Sequence, residues 1–527
     1  MKKILFISSL AAVLAVSSCK KSDFANSYTD PSKIAVSSVE KQFAGFVNSN
    51  LGYVMPGYWN YFVVQRITNN RYTQSVGWSN ATGQYIPGGG AVSDHWNAYY
   101  TFLSQYKELV KINKALSAAD QADRRIFMIA ATIYFYDYTQ KMVDVHGDIP
   151  WSAAGMLSAN GGDYLSSLPK YDKAQDIYTK MLDDLKAFST ELNTLTVPAA
   201  IQTAFNTQDF VLKGSKAAWT RYCNSLRLRM LTRVSGSSEL GARATSEIGA
   251  MIAAPATFPL VSSNAENIQI NVFSTSTPVA GSNFQGGLED WNGNLASKAM
   301  IDHMNTNGDP RLPALFEPGT AAGGVYKGID QSASSQVTDA LILTNTVAMY
   351  NRSTTSRNLF FPGVLINAAE VSFHLAEAYL KAGDLANAKA AYNKGIDQST
   401  EYYYNLRKLS TNTTSPALVP YTAAQVTAYQ TAAGINWDNA TTTAARQALI
   451  SNQRWIHYNV IQPFENWAEV RRTDLPALSF WTDAATLSAP NVPVRWMYPS
   501  SENVYNKANY AAVSGKDNLT TKLFWDK

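Results

Sequence analysis

Glu370 and Glu377 stand seven residues apart in "AEVSFHLAEAYLK". On a helix that spacing puts two carboxylates on one face, about 10 Å apart along the axis. A pair at roughly that distance can work as acid and base around a water, the chemistry of an inverting glycosidase. Such pairs normally come from different elements that flank a cleft, and Glu377 runs straight into an apolar packing face. The spacing therefore favours structural carboxylates. "MVDVHGDIPWSAAG", residues 142–155, offers His146 and Asp148 at the end of a helix-like run. Gly147 suits a left-handed helix end, Pro150 forces Ile149 to be extended, and Asp148 can accept from amides in its own turn. This predicts a rigid helix exit. The five histidines are His95, His146, His303, His374 and His457, and none has another within three to five residues. His-Glu-x-x-His, Cys-x-x-Cys, Gly-x-Ser-x-Gly and P-loop patterns are all missing. Neither catalysis nor a cofactor is expected, while an oxygen-ligated cation held by separated loops stays open.

Other charged residues also read as architecture. Arg471 and Arg472 close a helix before Pro476, where they can satisfy terminal carbonyls and pair with acids such as Glu469. Arg311 follows the turn Gly308-Asp309-Pro310 and is expected to tie it to a neighbour. Cys223 sits inside a helical pattern and reads as a small buried apolar residue.

Binding is better provided for than catalysis. Aromatic side chains make up 12% of the chain and charged ones 16%, with 29 Tyr, 21 Phe and 12 Trp. Aromatic faces with polar tips suit sugars and other neutral polar ligands. Two glycine-rich loops hold that inventory. Residues 70–90 carry Trp78, Asn80, Gln84 and Tyr85, and residues 282–294 carry Phe284, Asp290, Trp291 and Asn292. The net charge is +4, of which Lys2 and Lys3 supply two, so no basic footprint for nucleic acid exists.

The elements that must position these loops are mainly helical. The patterns predict helices near 36–50, 58–74, 94–118, 122–144, 171–190, 207–234, 240–253, 294–305, 364–382, 385–401, 422–432, 440–459 and 463–471. Long irregular stretches with a few short strands fill 77–93, 156–169, 257–293, 306–363 and 472–527. Residues 372–396 match the tetratricopeptide pattern: Leu375, Ala376 and Tyr379 share a face, Gly383 ends one helix, Asp384 caps the next, and Ala388, Tyr392 and Gly395 follow. Residues 171–185 echo the second helix through Ala174 and Tyr178, with 122–144 as the expected partner. Repeat-like units are thus placed near 122–190 and 364–401 of one large helical domain, 31–527.

The chain opens with Lys2 and Lys3, an apolar run over 4–16 and "VSSC" ending at Cys19. This is similar to a bacterial lipoprotein signal, which implies cleavage after residue 18, lipid on Cys19 and a tether over 19–30. No later apolar run approaches the roughly 20 residues of a membrane span.

Taken in order, the lipobox, "HGDIPWS", "YDKAQDIY", "WTRYCNSLRLRMLTR", "DPRLPALF", "AEVSFHLAEAYLKAG", "QRWIHYNVIQPFENWAEVRRTDLP" and "RWMYPSSENVYN" resemble the SusD/RagB family of outer-membrane lipoproteins of Bacteroidetes. His146, where the family usually has an aromatic such as tyrosine, and Cys223, where a small residue is common, depart from it. The resemblance implies an all-α, tetratricopeptide-like superhelical scaffold on the extracellular face of the outer membrane. It implies a SusC-like TonB-dependent transporter as partner, an oligosaccharide as the captured nutrient, and no catalysis. A binding protein for peptides or another nutrient, and a surface hydrolase, are the alternatives.

Overall fold

The computed structural model describes residues 37–277 and 279–526, so the expected signal peptide, Cys19 and the tether lie outside the described residues. Helices carry the scaffold, and the three sheets found among the described residues are two-stranded and antiparallel. The helices used below are α1 (Val39–Asn48), α2 (Gly89–Lys114), α3 (Arg125–His146), α4 (Ala174–Thr194), α5 (Lys216–Val234), α6 (Ala368–Lys381), α7 (Leu385–Leu409), α8 (Thr443–Tyr458) and α9 (Pro463–Thr473).

The α6–α7 hairpin forms as its sequence requires. Asn367 accepts from the Glu370 amide to start α6, Gly383 turns at φ +79°, and Asp384 accepts from the Asn387 amide to start α7. A Cβ at Gly395 would lie 2.4 Å from the Phe373 ring, so only glycine lets the two helices approach this closely. The buried Tyr392 hydroxyl donates to the Ile435 carbonyl at 2.9 Å, and α8 packs on the other side of α6.

Helix α3 is buried almost all round, as befits a helix that is apolar on every face. Its few acids must therefore be matched inside the protein. Arg229 of α5 donates to Asp137 at 3.0 Å, to Glu370 at 2.5 Å and to the Leu365 carbonyl at 2.6 Å. Arg233 reaches Asp144, Glu465 at 2.7 Å and Glu469 at 3.0 Å. Arg472 pairs with Glu377 at 2.7 Å and Glu469 at 2.6 Å, and Arg454 joins the same two acids. Six carboxylates are met by four guanidiniums and the ammoniums of Lys141 and Lys381. This network stitches α3, α5, α6, α8 and α9 together.

Several expected elements are corrected. The helix predicted over 364–382 begins only at Ala368, because Gly363–Ile366 is a strand paired with Ile268–Ile270. The Asn367 cap separates the two. The pattern at 207–234 breaks into Ala199–Gln208 and α5. Between them Asp209 accepts from the amides of Val211, Leu212 and Gly214, and Lys213 and Gly214 turn left-handed. Helix α4 packs most extensively along α5 and also lies antiparallel to α3, the partner its sequence suggested, where Arg125 pairs with Glu191 at 2.7 Å, the Tyr136 hydroxyl donates to Asp184 and the Tyr178 hydroxyl donates to Asp144 at 2.5 Å. A clasp closes the same end of the pair, in which Ile149–Pro150 pairs with Tyr171–Asp172. Asp172 there accepts from the Trp151 and Ser152 amides at 3.1 and 2.8 Å.

His146 ends α3 and Gly147 turns at φ +81°. Asp148 does not cap its own turn; it accepts from the Ala174 amide at 2.9 Å and so starts α4. The His146 ring is buried, stacked on Tyr498 at 5.9 Å and edge-on to Trp96 at 5.0 Å. It fills the aromatic place that the resemblance assigned there. No helix of the described residues is long and apolar enough to cross a membrane.

Candidate ligand-binding site

The two carboxylates that could have done hydrolytic chemistry are spent. Glu370 and Glu377 are both 1% exposed and paired with arginines. Burial pushes both carboxyls up, but Arg229 beside Glu370, and Arg472, Lys381 and Arg454 around Glu377, hold them well below the usual carboxylate range. They are permanent anions, not proton carriers. Burial pushes the Cys223 thiol up to about 12, and its Sγ lies 3.3 Å from the Leu185 carbonyl, so it is inert in the fold. No group of three or more His, Cys, Asp or Glu among the described residues is placed to hold a metal ion. Arg471 donates to the carbonyls of Trp467, Val494 and Asp144, and Arg311 holds Asp309 at 2.6 Å and Gln453 at 2.7 Å, both as the sequence suggested.

The first candidate loop, 70–90, turns inward. Trp78 is 7% exposed and its indole N–H donates to the Gln84 side-chain oxygen at 2.9 Å. Asn80 donates to the carbonyls of Gln331 and Ala333, and the Tyr85 hydroxyl donates to the Trp481 carbonyl at 2.6 Å. Asn80 and Tyr85 hold the loop to its neighbours, Trp78 and Gln84 tie it to itself, and none of the four offers an open face. The expectation of a ligand platform at Trp78, Asn80, Gln84 and Tyr85 is therefore corrected. A loop that satisfies its own amides has the same composition as one that presents them.

The second loop divides into an anchor and a tip. Phe284 is buried, 4.6 Å from the Tyr61 ring and 5.2 Å from the Phe361 ring, and belongs to the core. The Tyr58 amide donates to the Ser282 carbonyl at 2.8 Å, and the Ser282 amide donates to the Pro56 carbonyl at 3.2 Å. A Cβ at Gly287 would lie 2.8 Å from the Gly57 carbonyl, so glycine is needed for this close approach. Glu289 is held by Arg357 at 2.6 Å and by the Ser356 hydroxyl at 2.6 Å. From this rigid base the tip projects Asp290, Trp291 and Asn292 into solvent. Trp291 is 82% exposed, and both it (φ +55°) and Asn292 (φ +57°) take left-handed backbone. A bulky residue in that region is strained, and an exposed indole gains nothing from burial. Two unfavourable features at one residue point to use.

Trp291 does not stand alone. The stretch Trp59–Gln65, predicted as ordinary helix, is π-helical, and the Arg66 amide donates five residues back to Tyr61. Such segments recur at functional sites. It sets Tyr58, Phe62 and Arg66 along one flank. The Tyr58 and Phe62 rings stack at 4.8 Å and 16°, and Trp291 stands edge-on to Phe62 at 6.1 Å and 86°. The Arg66 guanidinium lies 4.1 Å from the Phe62 centroid and 5.7 Å from that of Trp291. Trp59 beside them is 41% exposed. The result is an aromatic corner with a cation set into it and a carboxylate and an amide at its rim. It can stack on the apolar face of a sugar ring while polar groups reach the hydroxyls. Tyr58, Trp59, Phe62 and Arg66 were missed because their helical spacing read as core packing.

A cavity of 550 Å³ lies elsewhere, between Pro310, Phe316, Tyr326 and Tyr404. Most of its polar side chains are committed, Asp309 to Arg311, Glu317 Oε1 to Arg352, Asn351 to the Pro313 carbonyl and Tyr404 to the Pro310 carbonyl, while Glu317 Oε2 is buried without a hydrogen-bond partner.

A family model described as SusD-like, "Starch-binding associating with outer membrane", matches residues 47–499. Among solved structures, a chitin-binding protein superposes with a TM-score of 0.72 at 23% identity, over 92% of this chain and 99% of that one. A SusD homologue from Parabacteroides distasonis gives 0.71 at 19% identity, over 93% and 98%. A chitin-binding SusD homologue from Flavobacterium johnsoniae gives 0.69 at 20% identity, over 93% and 98%. Identities this low speak for a shared fold. No curated protein matches the chain.

Proposed function

The chain belongs to the SusD-like family, and on that premise we propose that it is a surface nutrient-binding lipoprotein that captures an oligosaccharide and passes it to a SusC-like TonB-dependent transporter. Lipid on Cys19 anchors it to the outer face of the outer membrane, and a single domain over 31–527 carries the ligand. The aromatic corner at Trp291, Phe62 and Arg66 is the ligand platform, with Asp290 and Asn292 at its edge. The observation that carries this reading is the strained, 82% exposed Trp291 set edge-on to Phe62. Binding without turnover fits the site, which offers stacking faces and hydrogen-bond groups but no proton carrier paired with a nucleophile.

The test is affinity electrophoresis and a glycan array on the purified mature protein, with Trp291→Ala alongside. Binding of a glycan in the micromolar range, lost by at least about ten-fold in the variant, is the expected result. An aromatic stacking contact of about 1.4 kcal/mol corresponds to that factor. Binding of peptides but no glycan would transfer the scaffold to another nutrient, and product release by the pure protein would sink the binding-only reading.

A further inference from the structure

We propose that the oligosaccharide taken by this site carries an anionic substituent, a carboxylate or a sulfate ester, and that Arg66 is the group that receives it. This rests on the Trp291 corner being the ligand platform. One face of the guanidinium is covered by Phe62 at 4.1 Å, which leaves its edge as the bonding surface. Nε is shut off from solvent without a hydrogen-bond partner, and the two terminal nitrogens, which make no hydrogen bond within the described residues, are the donors open to a ligand. Among the described residues Arg66 makes no ion pair, in contrast to Arg229, Arg233, Arg454 and Arg472, each of which holds at least two carboxylates.

The nearest acids do not fill that role. Glu289, on the same loop, is taken by Arg357 and Ser356. Asp290 acts on Arg66 only through space, and its exposed carboxylate is screened by water and salt. Burial pushes the Arg66 guanidinium below its ordinary value, a desolvation cost that Tyr58 and Asp290 offset only in part. Its stem is nevertheless fixed. A Cβ at Gly293 would sit 3.0 Å from Arg66 Cδ, so the glycine lets the loop backbone pack closely against the arginine stem. A fixed guanidinium whose two terminal nitrogens are free matches a carboxylate or sulfate bidentately, which a neutral hydroxyl cannot do. Trp291 beside it would hold the sugar ring that bears the substituent.

The experiment is isothermal titration calorimetry on the mature protein with paired probes. These are oligogalacturonate and its carboxyl-reduced form, and chondroitin sulfate oligosaccharide and its desulfated, carboxyl-reduced form, with malto- and chito-oligosaccharides as neutral glycans. One acidic probe should bind at least ten-fold more tightly than its neutralised partner at low salt, with the preference shrinking as NaCl rises. Arg66→Gln should abolish the preference and its salt dependence, Arg66→Lys should keep the salt dependence at weaker affinity, and Trp291→Ala should weaken both members of the pair. Circular dichroism of each variant checks that it is folded. Neutral glycans bound as well as or better than acidic ones, or an acidic preference that survives Arg66→Gln, would overturn the assignment while leaving the oligosaccharide platform standing. No binding of any probe would overturn both.

Discussion

Arg229 and Glu370 meet at 2.5 Å in the fully buried centre of the scaffold, 141 residues apart in sequence. The pair joins α5 to α6, and the remaining Arg229 donors go to Asp137 and the Leu365 carbonyl, so both charges are compensated. Removing one partner strands the other. Glu370→Gln or Arg229→Met should each cost about 3–5 kcal/mol in denaturant unfolding, and the joint replacement Arg229→Met, Glu370→Leu should cost less than the two singles added together. Additive losses would show that the network does not act as a unit.

The buried histidines make stability fall on the acid side. Burial pushes His95 and His457 down to about 3, and it lowers His146, His303 and His374 as well. Each is neutral in the fold and takes up a proton on unfolding once the pH is below its ordinary value near 6.5. The stability it contributes is present above about pH 6.5 and is lost as the pH falls toward about 3. For His95 and His457 the loss is about 1.4 kcal/mol per pH unit each over that window. Unfolding free energies from pH 8 to 5 should therefore be flat and then drop, with His95→Phe shallower by about one proton. A profile level to pH 5 would contradict this.

Cys223 should be silent to thiol reagents in the native state. Its thiol is fully buried and pushed up to about 12. A disulfide-exchange reagent at pH 8 should label it only at the rate of unfolding and at once in denaturant. Fast native labelling would show that α5 opens locally.

Legibility followed local chemistry. The α6–α7 hairpin was readable because each feature that makes it is local: an Asp cap, a left-handed glycine and small residues at the crossing. Gly363–Ile366 was not, since four apolar residues next to a helix look like more helix until the strand at Ile268–Ile270 pairs with them. Of the proposed platform, Asp290, Trp291 and Asn292 stood out by loop composition, and they are exposed at the tip of their loop. Trp78 and Tyr85 had the same signature, but the carbonyls and the Gln84 amide oxygen that satisfy them come from folding contacts. Phe62 and Arg66 were hidden for the opposite reason. A four-residue spacing on an apolar helix describes a core face, and only the π-helical winding and the Ser282 bridge turn it toward the tip.

The Gly395–Phe373 crossing tests the hairpin directly. A Cβ at residue 395 would fall 2.4 Å from the ring, well inside contact distance. Gly395→Ala should cost about 1–3 kcal/mol by overpacking. Trimming the ring in Gly395→Ala, Phe373→Leu should recover part of that loss, which a purely conformational glycine effect would not allow.

The loop base should control binding without controlling the fold. Gly287 lies against the Gly57 carbonyl, where a Cβ would sit at 2.8 Å, and Gly57 is backbone that cannot rotate away as a side chain would. Gly287→Ala must therefore lift the 282–293 loop from the π-helical stretch or break the bond from the Tyr58 amide to the Ser282 carbonyl. Either way the 6.1 Å edge contact between Trp291 and Phe62 is lost, while the arginine network at the centre is untouched. Glycan affinity should fall by roughly ten- to a hundred-fold with the unfolding midpoint nearly unchanged, read by calorimetry and thermal melts on the same sample. Undiminished affinity in a folded Gly287→Ala protein would mean that the Trp291 corner is not where the ligand sits.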